Sequence, residues 1–204
     1  MPLFYQQNIN ATTRLAVWKI EETESFFSGT VPLQSTITHA HKRLQHLAGR
    51  FLLRFLYPNF PYSEIQIAST KKPYLPNEQY HFSISHCGDY AAAIVSTTHR
   101  VGVDVELETE RVVKIAPKFL HKQELEEFMN SDEALNIQQL TLLWSCKEAV
   151  FKWWGNGEVD FSEMIRIKHF ELLQKGNATI EFKENELQLA YELLGKLCVA
   201  WVVQ

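Results

Sequence analysis

The spacing of apolar and polar positions changes several times along this chain, and each change marks an element. "TRLAVWKI", Thr13 to Ile20, predicts a strand. From Leu33 to Pro58, Leu44, Leu47, Phe51 and Phe55 recur at helical spacing, which predicts one long amphipathic helix stopped by the proline. Arg43, Arg50 and Arg54 form a second stripe beside them, and a solvated face accounts for such a stripe taken alone. "EIQIAST" predicts a strand, and "KKPYLPNEQ", with two prolines and an Asn, predicts no regular structure. In "YHFSISHCGDYAAAIVS" the alternation at Phe82 and Ile84, then at Ala92 and Ile94, breaks at "HCGD". That pattern predicts two antiparallel strands around a tight turn, with His86 at the turn.

"HRVGVDVELE" alternates cleanly: Val101, Val103, Val105 and Leu107 go to one face of a strand, Gly102, Asp104, Glu106 and Glu108 to the other. A helix follows from Ile115 to Glu127 with Pro117 near its start. "SDEALNIQQLTLLWSCKEAVFKWWGNG" supplies a central helix closed by Gly155, Asn156 and Gly157. "MIRIKHFEL", "ATIEFKEN", "ELQLAYEL" and "KLCVAWVVQ" read as strands. The order strand, helix, strands in each half hints at duplication near residue 100.

Composition narrows the class. A chain of 204 residues, 46% hydrophobic and 22% charged, can bury one good-sized core or two small halves, and it is expected to be whole rather than a fragment. The net charge of −4 and pI near 6.1 give no general attraction to nucleic acid or to an anionic membrane. Any anion must therefore be held by a local cluster. Cys87, Cys146 and Cys198 lie far apart without a C-x-x-C pair, which points to neither disulfides nor a thiolate zinc site and to a cytoplasmic compartment. "MPLFYQQNIN" lacks a basic segment followed by an apolar one, and the longest apolar run is "CVAWVV", so neither a signal peptide nor a membrane span is expected.

Two stretches carry chemistry. Asp104 and Glu106 aim their carboxylates the same way from one strand, and carboxylates held that close repel unless a cation sits between them. Hard oxygen ligands favour Mg2+. In "WSCKEAVFKWW", Trp144, Lys147, Glu148, Phe151 and Lys152 fall within an arc of about 140° on a helical wheel. Burying Lys147 and Glu148 in plain core would cost several kcal/mol per ion. A Glu148–Lys152 pair is worth only about 0.3 to 0.5 kcal/mol, although long side chains can snorkel out from a boundary position. Trp144, Phe151 and Trp153 read as walls rather than reactants.

"VGVDVE", followed some forty residues later by "WSCKEAVFK" and preceded by "KKPYLP" and "SISH", resembles the paired signature of 4′-phosphopantetheinyl transferases of the surfactin-synthetase-activating type. The similarity runs from about Lys42 to Gly157. It implies an α+β fold of two similar halves related by pseudo-twofold symmetry, residues 1–99 and 100–204, with the active site in the cleft between them and a monomeric state. It implies Mg2+-dependent transfer of the phosphopantetheine arm of coenzyme A to a serine of an apo acyl or peptidyl carrier protein, with release of 3′,5′-ADP. Asp104, Glu106 and Glu148 would hold the metal, and Lys147 and Lys152 would face the phosphates. Glu148, Lys152 and Asp104 would be the catalytic set. His86 would contact the 3′-phosphate, Lys72 would hold the nucleotide end and Ser85 would add a hydroxyl. Arg50, or Arg43 or Arg54 from the same stripe, would reach the same phosphate. The carrier serine would lose its proton either to Glu148 or through a metal-bound water or second carboxylate. "FLHKQE" departs from the family by placing His121 where many relatives have serine, which leaves the roles of His121 and Glu124 open. Lys114, Lys118 and Lys122 could form a docking stripe for an acidic carrier, or simply a solvated face. A non-catalytic coenzyme A or carrier-binding module, and a Mg2+-dependent nucleotide phosphohydrolase, are the competing readings.

Overall fold

In the first part of the chain, strands β1 (Leu3–Asn8) and β2 (Thr13–Lys19) form a hairpin, and β5 (His81–Cys87) and β6 (Tyr90–Ser96) form a second. β2 pairs with β6 in the register Leu15↔Ile94, which gives an antiparallel four-stranded sheet of order β1-β2-β6-β5. Between the hairpins lie the short α1 (Glu24–Ser28), the long α2 (Ala40–Leu56) and the two-residue strands β3 (Gln66–Ile67) and β4 (Pro73–Tyr74). The structure, a computed structural model, describes residues 2–31, 37–129, 137–168 and 172–204. It divides into two compact units, Met1–Val103 and Asp104–Gln204, with the boundary inside β7 (Val101–Leu107).

The first unit is built by α2 lying on its sheet. Leu47, Ala48, Leu52, Leu53 and Leu56 are buried together with Ala16, Ala91, Ala93 and Val95. The small side chains on β6 let the helix come close. Closeness is greatest at Gly49, where an added Cβ would stand 2.5 Å from Ile84 Cγ2. The predicted helix begins later than Leu33 to judge from residues 37–39, which are not helical; Leu33 to Thr36 lie outside the described residues. His39 takes the N-cap, its side chain accepting the Lys42 N–H. β1 and α1 had no sequence expectation, and the "KKPYLPNEQ" stretch holds a strand after all, β4, whose Tyr74 pairs with Gln66.

After β7 the chain forms α3 (Arg111–Phe119), α4 (Lys122–Met129), α5 (Ile137–Trp154) and α6 (Phe161–Met164). Then come β8 (Ile165–Ile167), β9 (Lys175–Phe182), β10 (Asn185–Leu194) and β11 (Leu197–Val203), in a sheet of order β7-β11-β10-β9-β8. α5 packs on β11, burying Leu142, Leu143, Cys146, Ala149 and Val150 with Ala200, Val202, Leu189 and Tyr191. Gly155 ends α5 at φ 72°, its N–H bonded to Phe151 O, as the glycines there predict. The single helix predicted from Ile115 to Glu127 is two, because Leu120 is extended at ψ 134° and a new helix starts after His121. The break also takes Lys122 off the helix that carries Lys114 and Lys118, so the three lysines do not form one stripe.

Each unit thus runs from strand to helix to a closing hairpin whose last strand lies beside the strand that precedes the helices: β6 by β2, and β11 by β7. The architecture is α+β. Among the described residues no helix is long and apolar enough to cross a membrane.

Gly49→Ala is expected to destabilise the protein by roughly 1–3 kcal/mol through overpacking against Ile84, read as a lower denaturant midpoint. Adding Ile84→Ala should recover part of that loss, because it removes the methyl group that the new Cβ meets.

Candidate active site

β7 and α5 supply the acidic cluster. Asp104, on β7, is almost fully buried at 1% exposure. Its Oδ1 stands 2.5 Å from Lys152 Nζ and its Oδ2 accepts the Ser145 hydroxyl at 2.9 Å. Glu106, two residues on and on the same face of the strand, accepts the Trp144 indole N–H at 3.2 Å. Ser145, Glu148 and Lys152 lie on one stripe of α5 at i, i+3 and i+7, with Trp144 beside them. Of the charges that share the aromatic face of this helix, Lys152 and Glu148 therefore answer to the carboxylates of β7.

Glu148 records the crowding of negative charge. Burial first, then Asp104, push its carboxyl up to about 7; Lys152 opposes the rise and Glu106 adds to it. Three carboxylates thus act on one another through a common field, and an ammonium answers one of them. The donor set is all oxygen and suits a hard divalent cation. Among the described residues, however, no group of three or more His, Cys, Asp or Glu stands gathered in ligating arrangement. The two observations differ because electrostatic coupling reaches further than a coordination bond.

Lys147 is a correction. Expected to face phosphates, it is fully buried, and its ammonium donates to Glu124 Oε2 at 2.6 Å, to Ile165 O at 2.7 Å and to Phe161 O at 3.0 Å. Those contacts use all three of its N–H donors. The reason lies on α4. Glu124, itself 3% exposed, accepts the backbone N–H of Ile167 on its other oxygen and that of His121 on the oxygen shared with Lys147. His121 accepts the Gln123 N–H on Nδ1, so His121 and Glu124 form a capping box with histidine in the usual hydroxyl position. This arrangement gives both residues a structural role where the sequence left them open.

In the first unit, the Arg43 guanidinium pairs with Glu24 at 3.0 Å and donates to Ile37 O and Thr38 O. Arg54 lies over the Tyr62 ring, 4.5 Å from its centre. Arg50 is the buried member of the stripe, 8% exposed, with Nη1 2.9 Å from His46 Nδ1. His86 is exposed near the end of β5, opposite Ala91, and Ser85 is buried. Lys72 is half-buried between β3 and β4, where burial and then Arg100 bring its ammonium down to about 8. Sequence reading missed His46, although its place four residues before Arg50 on a helix was a usable signal, and missed Ser145 inside a stretch already singled out.

The raised carboxyl of Glu148 makes folding pH-dependent. The folded protein binds its proton more tightly than the unfolded chain, whose value is near 4.5, so stability falls as pH rises from about 4.5 through about 7. Glu148→Gln should therefore melt higher than the parent at pH 8 and close to it at pH 4, by thermal unfolding in the absence of divalent cations. A difference that does not change with pH would contradict the assignment. Lys147→Met strands Glu124 as a buried charge and should lower stability by about 3–5 kcal/mol in denaturant unfolding. An unchanged midpoint would return Lys147 to the phosphate-facing role.

Comparison with known proteins matches residues 100–202, the stretch from β7 to β11, to the 4′-phosphopantetheinyl transferase superfamily. The 4′-phosphopantetheinyl transferase gsp of Aneurinibacillus migulanus is 28% identical over 142 residues, 69% of this chain and 56% of the relative. Enterobactin synthase component D of Escherichia coli O157:H7 is 31% identical over 127 residues, 60% of each chain. The 4′-phosphopantetheinyl transferase Sfp of Bacillus subtilis is 27% identical over 175 residues, 81% of this chain and 76% of the relative. The match thus spans 56% of the first of these relatives and 60% of the second. With the family match covering half of its length and the acidic cluster of β7 and α5 inside the matched stretch, the chain belongs to the 4′-phosphopantetheinyl transferase superfamily.

Proposed function

We propose that this protein transfers the 4′-phosphopantetheine arm of coenzyme A to a serine of an apo acyl or peptidyl carrier protein and releases 3′,5′-ADP. The observation that carries the reading is the coupling of Glu148 to both Asp104 and Glu106 beside the Lys152 ammonium, within the stretch matched to the family. In this reaction the serine oxygen bonds to the phosphorus bearing the pantetheine arm. The bond from that phosphorus to the oxygen of 3′,5′-ADP breaks, and a base takes the serine proton.

Asp104, Glu106 and Glu148 would hold Mg2+, which when bound neutralises charge on the diphosphate. Lys152 is suited to follow the charge that develops on the leaving side: its side chain is 25% exposed, and its ammonium sits on a flexible stem beside Asp104. In the first unit, Arg50 and His86 would take the 3′-phosphate, and Lys72, with the Ser85 hydroxyl, the nucleotide end. At pH 7 an ammonium with a pKa near 8 is still mostly charged. Arg111, Lys114 and Lys118, exposed on α3, offer a basic surface to an acidic carrier. The three cysteines are free thiols, which supports action in a reducing, cytoplasmic compartment, and the reading takes the working unit to be one chain.

The test is intact-mass spectrometry of an apo carrier protein incubated with coenzyme A and Mg2+. One phosphopantetheine arm should be added, and Asp104→Ala, Glu148→Ala or a chelator should slow the addition roughly a hundredfold or more without loss of far-UV circular dichroism. Unchanged turnover in either variant would remove the metal assignment. Coenzyme A binding without a mass gain would make this a binding module, and coenzyme A cleavage without an acceptor would make it a phosphohydrolase.

A further inference from the structure

We propose that Trp144 and Ser145 are positioning residues: with one neutral N–H and one neutral O–H they hold the Glu106 and Asp104 carboxylates side by side, ready for a divalent cation, without taking up their charge. The inference rests on the reading above, in which these carboxylates hold Mg2+, and names the residues that prepare them for it.

The acidic face of β7 is matched by a row of donors on α5. Gln138 Nε2 donates to Glu108 Oε1 at 2.6 Å, Trp144 Nε1 to Glu106 Oε1 at 3.2 Å, and Ser145 Oγ to Asp104 Oδ2 at 2.9 Å. Residue numbers rise along the helix as they fall along the strand, so the two elements run side by side in opposite directions. Two steps along a strand span only about 6.6 Å, and carboxylates at that spacing repel one another. Each therefore needs something to fix its direction, and α5 supplies a donor to each.

The donors are themselves held. A serine or threonine inside a helix commonly returns its hydroxyl to the carbonyl one turn back, as Thr141 does to Ile137 O at 2.7 Å. Ser145, one turn later on the same helix and fully buried, sends its hydroxyl across to β7 instead. The Trp144 ring packs edge-on against Phe119 of α3, with centres 5.1 Å apart, and against Phe161 of α6 at 5.5 Å. Those contacts fix the direction of its N–H. Three helices thus converge on the placing of one hydrogen bond to Glu106.

Neutral donors suit this task. A hydrogen bond to a carboxylate stabilises and orients its charged form. A hydroxyl and an indole carry no net charge, so the negative field of β7 stays whole for a cation, and fixing ligands in this way raises metal affinity. The Lys152 ammonium at the other oxygen of Asp104 acts differently: it must share that carboxylate with any cation, and its partly exposed side chain lets it shift. Asp104 is thus gripped on Oδ2 by a fixed neutral donor and on Oδ1 by a movable charged one.

Mn2+ binding, with coenzyme A present and carrier absent, would be followed by electron paramagnetic resonance for the parent, Trp144→Phe, Ser145→Ala and Ser145→Thr. The Mg2+ dependence of transfer and thermal unfolding without divalent cations would be measured alongside. Trp144→Phe keeps an aromatic ring and loses the donor; Ser145→Thr keeps the hydroxyl that Ser145→Ala removes. Trp144→Phe and Ser145→Ala should each weaken Mn2+ binding roughly tenfold or more and raise the half-saturating Mg2+ by a similar factor. Their kcat at saturating Mg2+ should stay within about threefold of the parent, and Ser145→Thr should bind Mn2+ as the parent does. In a Glu106→Ala background, Trp144→Phe should weaken Mn2+ no further, because its partner is gone. A merely structural role would lower the melting temperature and leave the Mn2+ affinity of the folded protein alone. Parent-like Mn2+ binding in either Trp144→Phe or Ser145→Ala, or a full Trp144→Phe effect in Glu106→Ala, would overturn the role, as would a Ser145→Thr that melts like the parent yet binds like Ser145→Ala. If Mn2+ binds in this dependent way but no carrier is modified, the transferase reading falls and the two roles stand. If carriers are modified and Mn2+ binding ignores both residues, this inference falls alone.

Discussion

A lysine ammonium shut off from water must be answered by its surroundings, and the arrangement of the second unit follows from how Lys147 is answered. Glu124 supplies the charge, and the carbonyls of Phe161 and Ile165 supply the remaining acceptors. Because Glu124 also binds the N–H groups of His121 and Ile167, α4, α5 and β8 meet at a single carboxylate, and α6 joins them through the Lys147 ammonium. Leaving any of these donors without its acceptor would expose the cost of a buried charge. The position of α5, both along its axis and about it, is thereby fixed.

That fixed helix carries a second lysine with a different task. Lys152 also pairs with a buried carboxylate, but its own side chain keeps a quarter of its surface in contact with solvent. The same chemistry, ammonium against carboxylate, is thus used once in a sealed setting and once at a margin where the cation can change partners. Glu148 lies between them in sequence and feels the negative field of β7, which Lys152 offsets only in part. In the first unit two arginines of one helix are answered differently: Arg50 Nη1 stands against the His46 ring, and Arg43 pairs with the Glu24 carboxylate.

Much of this was legible in the sequence because period and composition report local structure directly. The clean alternation of β7, the hairpin around Gly88 and the glycine end of α5 all come from rules acting over a few residues. The acidic pair Asp104 and Glu106 came from the same source, and the α+β class from the family resemblance. What escaped depended on distant partners. Nothing local distinguishes Lys147 from Lys152, and only the return of Glu124 from α4 shows that the first is sealed. The long helix predicted through Leu120 failed because the same glutamate, with His121, starts a new helix there. Arg43 and Arg50 share a stripe and a residue type, and only Glu24 on α1, an element without a sequence signal, separates their roles.

The sealing of Lys147 bears on which lengths this chain can tolerate. Adjacent residues of a helix point about 100° apart, so Lys147 enters the interior while Glu148 faces the carboxylates of β7. One residue lost within α5 ahead of position 147 would swing Glu148 toward Glu124, one gained would put Cys146 there, and either would carry the ammonium away. Insertions and deletions should thus be excluded from the helix ahead of Lys147 far more strictly than from the turn that follows it at Gly155 to Gly157, whatever the ligand turns out to be.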